Sequence, residues 1–358
     1  MAPERVLVTG VSGFIALSIT KKLLEEGKYQ VRGTVRSVSK EAKIKPIKEL
    51  VKDAKYPIEL VEADLDKDEG WDAAVKDCTY VLHLASPFVL VSKSNEDAIV
   101  SSAVNGATRV LQACSRSEMV KRVVLTSSIV AVSYGHESSL PKDYLYTEAD
   151  WSNESTIFGY NKSKTLAEKA AWDFMAKNKE DSSKHQFELA TVCPSMVEGA
   201  YLGDAPGTSV SFIRDMLNGK FPFLPDIYMG FVDVKTVVDV HLAAMASPNA
   251  AGQRYCTTER TLSMLDVAKL LNQEFGPQGL RISERVAPYF LAKILSYFDS
   301  GVAEVIDGWG YPRLMSHEKA TKELGVEFLE APKAIIETAY CLIERGEVPK
   351  PPKYSKLS

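Results

Sequence analysis

Short apolar runs alternate with longer stretches of helical period through the first half of the chain. Arg5–Thr9, Gln30–Val35, Ile58–Glu62, Tyr80–Leu84, Arg122–Thr126 and Phe187–Val192 are five or six residues each, and most are rich in Val, Leu, Ile and Thr. Such runs predict strands buried on both faces. Between them, Ile15–Glu26 carries Ile15, Ile19, Leu23 and Leu24 at helical spacing, and Ser101–Ser115 and Tyr160–Lys177 repeat the pattern. Strands alternating with helices predict parallel βαβ units and an α/β fold, a doubly wound sheet of the Rossmann type.

The pattern changes after Pro194. Gly, Pro and aromatic residues crowd the stretch from Tyr201 to Phe231, interrupted by a helical segment at Val210–Leu217. A strand beginning at Gly230 and a helix over Val234–Ala246 follow, and the chain from Leu262 onward reads as mainly helical. The expected organisation is a nucleotide-binding domain over residues 1–193 and a smaller C-terminal substrate-binding lobe over residues 194–347, with segments returning to the main sheet. Residues 348–358, rich in Pro and Lys, are expected as a loose tail.

The bulk numbers narrow the class without naming it. A chain of 358 residues with 45% hydrophobic and 25% charged positions has ordinary globular composition. Its net charge of −4 gives no basic surface for nucleic acid. The five cysteines, at 78, 114, 193, 256 and 341, are odd in number and form no C-x-x-C pair. That speaks against a disulfide framework and a zinc site, and for a reducing, cytoplasmic setting. The histidines are dispersed, so no metal site is expected. The N-terminus has no signal-peptide pattern and no apolar span long enough for a membrane follows.

Chemistry enters at the first turn. Gly10-Val-Ser-Gly13-Phe-Ile-Ala16 follows the first strand and opens the first helix. Gly10 permits a tight turn, Gly13 lets the backbone approach a pyrophosphate, and the helix N-terminus supplies free N–H groups. The second strand ends Gly33-Thr-Val-Arg36. An enzyme using NAD commonly places an acid there to hold the ribose 2′-hydroxyl. Here Val35 and Arg36 stand instead, with Lys40 and Lys43 beyond. Cations suit a 2′-phosphate, so NADPH is the expected cofactor.

Tyr160 and Lys164 lie four apart, on one helix face. An ammonium beside the phenol, together with a cationic oxidised nicotinamide, is expected to favour the phenolate and make the Tyr a usable proton donor and acceptor near neutral pH. The fifth strand ends Thr126-Ser127-Ser128. Hydroxyls at the C-terminal end of a parallel strand point into the ligand crevice, where Ser128 would polarise a carbonyl oxygen.

Together these stretches resemble the extended short-chain dehydrogenase/reductase family. The nearest likeness is to dihydroflavonol-reductase-like proteins and fungal carbonyl, aldehyde or methylglyoxal reductases. The resemblance runs through Val8–Ile15, Val31–Arg36, Ala63-Asp-Leu65, His83-Leu-Ala-Ser-Pro87, Thr126-Ser-Ser128, Tyr160–Glu168, Pro194-Ser-Met-Val197, Phe231-Val-Asp-Val234 and Lys319–Gly325. It implies that Gly10, Gly13, Phe14 and Ile15 form the cofactor turn. Arg36 and Lys43 would hold the 2′-phosphate, and Asp64 and Leu65 would border the adenine. Leu84, Ala85 and Ser86 would line the cofactor, Pro194 to Val197 would border the nicotinamide, and Ser211 would touch a phosphate. Ser128, Tyr160 and Lys164 would be catalytic, with Lys164 and Tyr160 also touching the cofactor.

The implied activity is reduction of a ketone or aldehyde by hydride transfer from NADPH, with Tyr160 as proton donor. An alcohol-oxidising hydroxysteroid-type dehydrogenase stays open as an alternative, as does a non-catalytic NADPH-sensing protein. Ser133 stands where plant flavonoid reductases carry Asn, and Thr156-Ile-Phe-Gly where cinnamoyl-CoA reductases carry Cys and Trp. Phe88, Val130, Tyr134, Tyr201, Phe212, Tyr228 and Met229 are candidates for an apolar pocket suited to a hydrophobic small molecule. Trp151 and Trp172 read as packing around the catalytic helix. The chain is expected as a monomer or homodimer.

Overall fold

A computed structural model describes residues 3–86, 96–204, 206–297 and 306–356. Seven parallel strands form the main sheet: β1 (Arg5–Val8), β2 (Gln30–Val35), β3 (Glu59–Glu62), β4 (Tyr80–His83), β5 (Arg122–Thr126), β7 (Glu188–Pro194) and β10 (Arg254–Thr257). β6 (Leu145–Tyr146) lies outside it and pairs with β12 (Leu314–Met315). The spatial order β10-β7-β5-β4-β1-β2-β3 reverses direction at β1, which opens a crevice between β1 and β4.

The alternation of side chains along each strand builds two cores. Leu7, Val81, Val123 and Leu189 face one side, under α3 (Trp71–Val75), α4 (Glu96–Arg116) and α5 (Gly159–Glu180). Val6, Val8, Leu82, Val124 and Ala190 face the other, under α1 (Phe14–Glu26) and α7 (Val234–Ala246). All eight of the Val and Leu side chains are 2% exposed or less, so the sheet is covered on both faces as its apolar runs require. α1 stops at Gly27, which takes the left-handed conformation at φ +60. α2 (Glu41–Lys48) starts just past β2.

The remaining chain forms the smaller lobe. It holds a three-stranded sheet of β8 (Met196–Glu198), β9 (Tyr228–Asp233) and β11 (Arg260–Ser263). Around it lie α6 (Thr208–Leu217), α8 (Met264–Phe275), α9 (Tyr289–Leu295), α10 (Glu318–Leu324) and α11 (Ala331–Glu344). Within the 194–347 stretch, α7 and β10 lie on the main sheet.

The C-terminal stretch is not the loose tail its composition suggests. Val348 and Pro351 are buried. The Lys353 N–H donates to the Gln278 carbonyl at 2.9 Å, the Ser355 N–H donates to Gln278 Oε1 at 3.1 Å, and the Tyr340 hydroxyl donates to the Ser355 carbonyl at 3.1 Å. Two apolar anchors and a buried Gln in need of partners hold the segment down.

Candidate active site

A groove of about 270 Å³ runs along the C-terminal ends of the central strands. Gly10 sits at its floor with φ +62, and a Cβ there would come within 3.0 Å of Ala85 Cβ and 3.1 Å of its Cα. The Gly10 N–H donates to Thr34 Oγ1 at 2.9 Å, which ties the turn to β2. Gly13 caps α1 with extended backbone and no side-chain hydrogen bond. The first N–H groups of α1 are therefore left for a ligand anion. Behind the turn, Thr9 Oγ1 accepts from the Ala85 N–H at 2.9 Å and bonds His83 Nδ1 at 2.9 Å. Burial, with a smaller push from Lys164, lowers the His83 pKa to about 4, so the ring is neutral. Thr9, Thr34 and His83 escape a reading by glycine spacing. Thr9 and Thr34 carry one signal, a hydroxyl residue beside Gly10 and beside Gly33, and His83 carries none of that kind.

Phe14, Ile15, Leu84, Pro194 and Val197 line the same groove as Gly10 and Gly13. Ala85 and Ser86 lie one step behind it, in a small cleft shared with Lys164. Arg36 and Lys43 do not reach the groove wall. Both are exposed just past the end of β2, without an ion-pair partner among the described residues. Asp64 is half-buried and Leu65 buried after β3, where the Ala63 N–H joins the Val35 carbonyl at 3.0 Å. The ends of β1, β2, β3 and β4 thus carry the glycine turn, the free cations, Asp64–Leu65 and Leu84–Ser86 in one arc. Ser211 is half-buried within α6 and off the groove, whose wall takes Thr208 and Ser209 instead. Ser209 Oγ accepts from the Val197 N–H at 3.1 Å.

Ser128, Tyr160 and Lys164 meet in this groove. Ser128 caps a short 3₁₀ turn, Ile129–Ala131, by accepting from the Val130 N–H at 3.3 Å. Tyr160, Lys164 and Glu168 recur every four residues along α5 and so share one face. Lys164 Nζ donates to Ser86 Oγ at 3.0 Å and stands 5.9 Å from the Tyr160 ring centroid. Burial brings the Lys164 pKa down to about 8. In the protein alone the Tyr160 pKa shifts the opposite way from that of Lys164. Burial, with the nearby Tyr134 phenol, pushes it up to about 12, although 38% of the residue's surface is open. Desolvation by the groove walls outweighs an ammonium that itself sits off the phenol and is half committed to Ser86.

Glu168 shares that face of α5 and is not singled out by spacing alone. Its wholly buried carboxylate accepts from Ser127 Oγ at 2.5 Å, Thr191 Oγ1 at 2.9 Å and Trp172 Nε1 at 3.2 Å, and pairs with Arg254. Trp151 stacks on that guanidinium at 3.7 Å.

A second chamber of about 210 Å³ adjoins the start of α5, lined by Tyr134, Phe158, Asn161, Tyr228, Met229 and Arg313. Of the apolar-pocket candidates, Tyr134, Tyr228 and Met229 face it, and Phe212 faces a larger apolar cavity beside it. Val130 and Tyr201 are buried, Tyr201 edge-on against Phe14. Phe88 and Pro87 lie outside the described residues. Ser133 is fully buried and donates to the Ile129 carbonyl at 3.3 Å, so its hydroxyl is spent within the turn. A hollow of about 440 Å³ near Tyr80, Lys121 and Glu188 lies at the opposite, N-terminal ends of the strands, where parallel sheets do not hold ligands. Among the described residues, no group of His, Cys, Asp and Glu side chains is placed to hold a metal ion, and no helix is long and apolar enough to cross a membrane.

The sequence profile of the NAD dependent epimerase/dehydratase family matches residues 6–256. A cinnamoyl-CoA reductase of Medicago truncatula is 33% identical over 344 residues, covering 95% of this chain and 96% of the relative. A dihydroflavonol 4-reductase of Gerbera hybrida is 30% identical over 282 residues, covering 76% of this chain and 73% of the relative. Among solved structures, a yeast methylglyoxal/isovaleraldehyde reductase, Gre2, complexed with NADPH, superposes with a TM-score of 0.74 at 28% identity, covering 96% of this chain and all of that one.

Proposed function

The chain belongs to the NAD dependent epimerase/dehydratase family and is an oxidoreductase of its extended short-chain branch, and on that footing we propose that it reduces the carbonyl group of a hydrophobic ketone or aldehyde with NADPH. The observation that carries this reading is the convergence of Ser128, Tyr160 and Lys164 on the groove floored by Gly10.

The residues present fit NADPH. At Gly10 a side chain would fill the cradle against Ala85, α1 offers unspent N–H groups, and Arg36 and Lys43 are free to pair with a 2′-phosphate. Asp64 and Leu65 would border the adenine, Leu84 to Ser86 the cofactor's middle, and Pro194 and Val197 the nicotinamide. Thr208 and Ser209, rather than Ser211, are the α6 hydroxyls placed for a phosphate. When bound, NADPH supplies the hydride.

Ser128 would donate to the substrate oxygen and stabilise the charge developing there. Tyr160, held protonated by burial, would give its proton to that oxygen. Lys164 would hold the nicotinamide ribose and favour the phenolate that remains. The cinnamoyl-CoA substrate named for the Medicago relative is not carried over, because Thr156-Ile-Phe-Gly stands at its expected signature. Absorbance-followed NADPH oxidation against aldehydes, α-dicarbonyls, aryl ketones, β-ketoesters and a dihydroflavonol, with NADH in parallel, tests the proposal. Turnover of several carbonyls with NADPH supports it, and tight NADPH binding with no turnover of any would favour a sensor.

A further inference from the structure

The second chamber shares wall residues with a cavity of about 600 Å³ in the smaller lobe. Phe212, Phe221, Pro225, Met264, Leu291 and Trp309 form much of its wall. No charged, amide or hydroxyl side chain of the described residues lines it. Ile227 and Met229 belong to the walls of both spaces. At the other end of the chamber stands Tyr134, whose phenol is near enough to Tyr160 to raise its pKa. The chamber lies beside the groove, since Asn161 of its wall follows Tyr160 on α5, and it meets the apolar cavity at Ile227 and Met229.

The cavity is not ordinary core. Phe223 is 53%, Leu291 46% and Leu295 54% exposed along its mouth. Apolar surface left in water at a concave site is what an apolar ligand covers. The chamber between is polar, with Arg313 stacked on Tyr134 at 4.1 Å and paired with Glu137. A substrate spanning both spaces thus meets polar walls in its middle and hydrocarbon at its far end.

We propose that this cavity is a second substrate subsite, which holds the apolar arm of an elongated carbonyl compound whose reacting carbonyl lies between Ser128 and Tyr160. The proposal rests on the reductase reading. It makes the enzyme selective for length: small carbonyls use only the groove, and alkyl or aryl chains that reach past Ile227 gain the burial.

The test is NADPH-dependent reduction of a methyl-ketone series from 2-butanone to 2-undecanone. Once the chain reaches the cavity, kcat/KM should rise about threefold to fourfold per added methylene and then level off. Leu291→Asp and Phe223→Asp each set a carboxylate on the exposed wall, at positions open enough that folding does not depend on them. Each should lower the ratio of long-chain to short-chain kcat/KM by at least about tenfold, with NADPH affinity serving as the check on folding. A flat series with 2-butanone still reduced overturns the subsite and leaves the reductase standing. A rising series that neither variant alters also overturns it. A flat series in which Leu291→Asp dissolves a dimer assigns the patch to a second copy of the chain instead. No reduction of any ketone or aldehyde brings down both readings.

Discussion

Glu168 Oε1 meets Arg254 Nε at 2.8 Å with the carboxylate wholly buried and the guanidinium nearly so. The pair joins α5 to the far edge of the main sheet, and Arg254 also donates to the Glu148 and Asp150 carbonyls at 2.9 and 2.7 Å. Removing one partner strands the other charge out of water, which costs about 3–5 kcal/mol. Glu168→Ala is expected to lose that much in denaturant unfolding. Glu168→Gln with Arg254→Met should recover part of it. A loss below about 1 kcal/mol for Glu168→Ala would remove the pair from the list of structural anchors.

Tyr160→Phe deletes only the hydroxyl. General acid catalysis contributes about 10²–10⁴-fold, so turnover should fall by about that factor while NADPH affinity, read by fluorescence titration, stays near wild type. Substantial activity in the variant would transfer the proton donor to another residue.

Arg36 has no ion-pair partner to lose among the described residues, so its replacement isolates the proposed cofactor contact. A hydrogen bond to a charged group is worth about 1.5–3 kcal/mol, and Arg36→Ala should weaken NADPH about 10–100-fold while leaving NADH almost unchanged. Equal losses for both would sink the phosphate role.

Much of this was legible in the sequence. The buried strands announced themselves because both faces are covered, which leaves continuous apolar runs. The glycine turn and the Tyr160–Lys164 spacing were legible because each satisfies a local geometric need. β10 was not. Arg254-Tyr-Cys-Thr holds no Val, Leu or Ile, and its charge is buried only because the distant Glu168 pairs with it. The tail was misjudged because Pro and Lys suggest solvent when the anchoring partner, Gln278, lies some 70 residues away in sequence. The upward shift at Tyr160 was hidden for a similar reason. The helical spacing shows the cation, whereas the walls that desolvate the phenol come from other elements.

The low Lys164 pKa sets a pH limit. The ammonium loses its proton above about pH 8, while the Tyr160 phenol keeps its own until about 12. kcat/KM for NADPH reports the free enzyme and should fall along a limb centred near pH 8. A profile flat to pH 10 would contradict it.

Glu198 makes stability pH-dependent. It is fully buried, with Thr338 Oγ1 donating to it at 3.0 Å, and burial raises its pKa to about 8. Between the ordinary carboxyl value of 4.5 and about 8, the folded protein holds a proton that the unfolded chain has released. Its stabilising contribution is therefore complete below the unfolded value and is lost as pH rises through the folded one. Glu198→Gln, neutral throughout, should melt above wild type at pH 9, with the two curves converging near pH 4. A constant difference across that range would show that Glu198 does not titrate with unfolding.

β10 pairs with β7 across some 60 residues of intervening lobe. A fragment ending at residue 193 would contain the glycine turn together with Ser128, Tyr160 and Lys164, yet it would lack the strand that closes the sheet. It would present β7 as a raw edge inviting intermolecular pairing and would leave the Glu168 carboxylate without its cation. The apparent boundary between domains is therefore no place to divide the gene. Nucleotide-binding and substrate-binding portions should melt together in a single calorimetric transition.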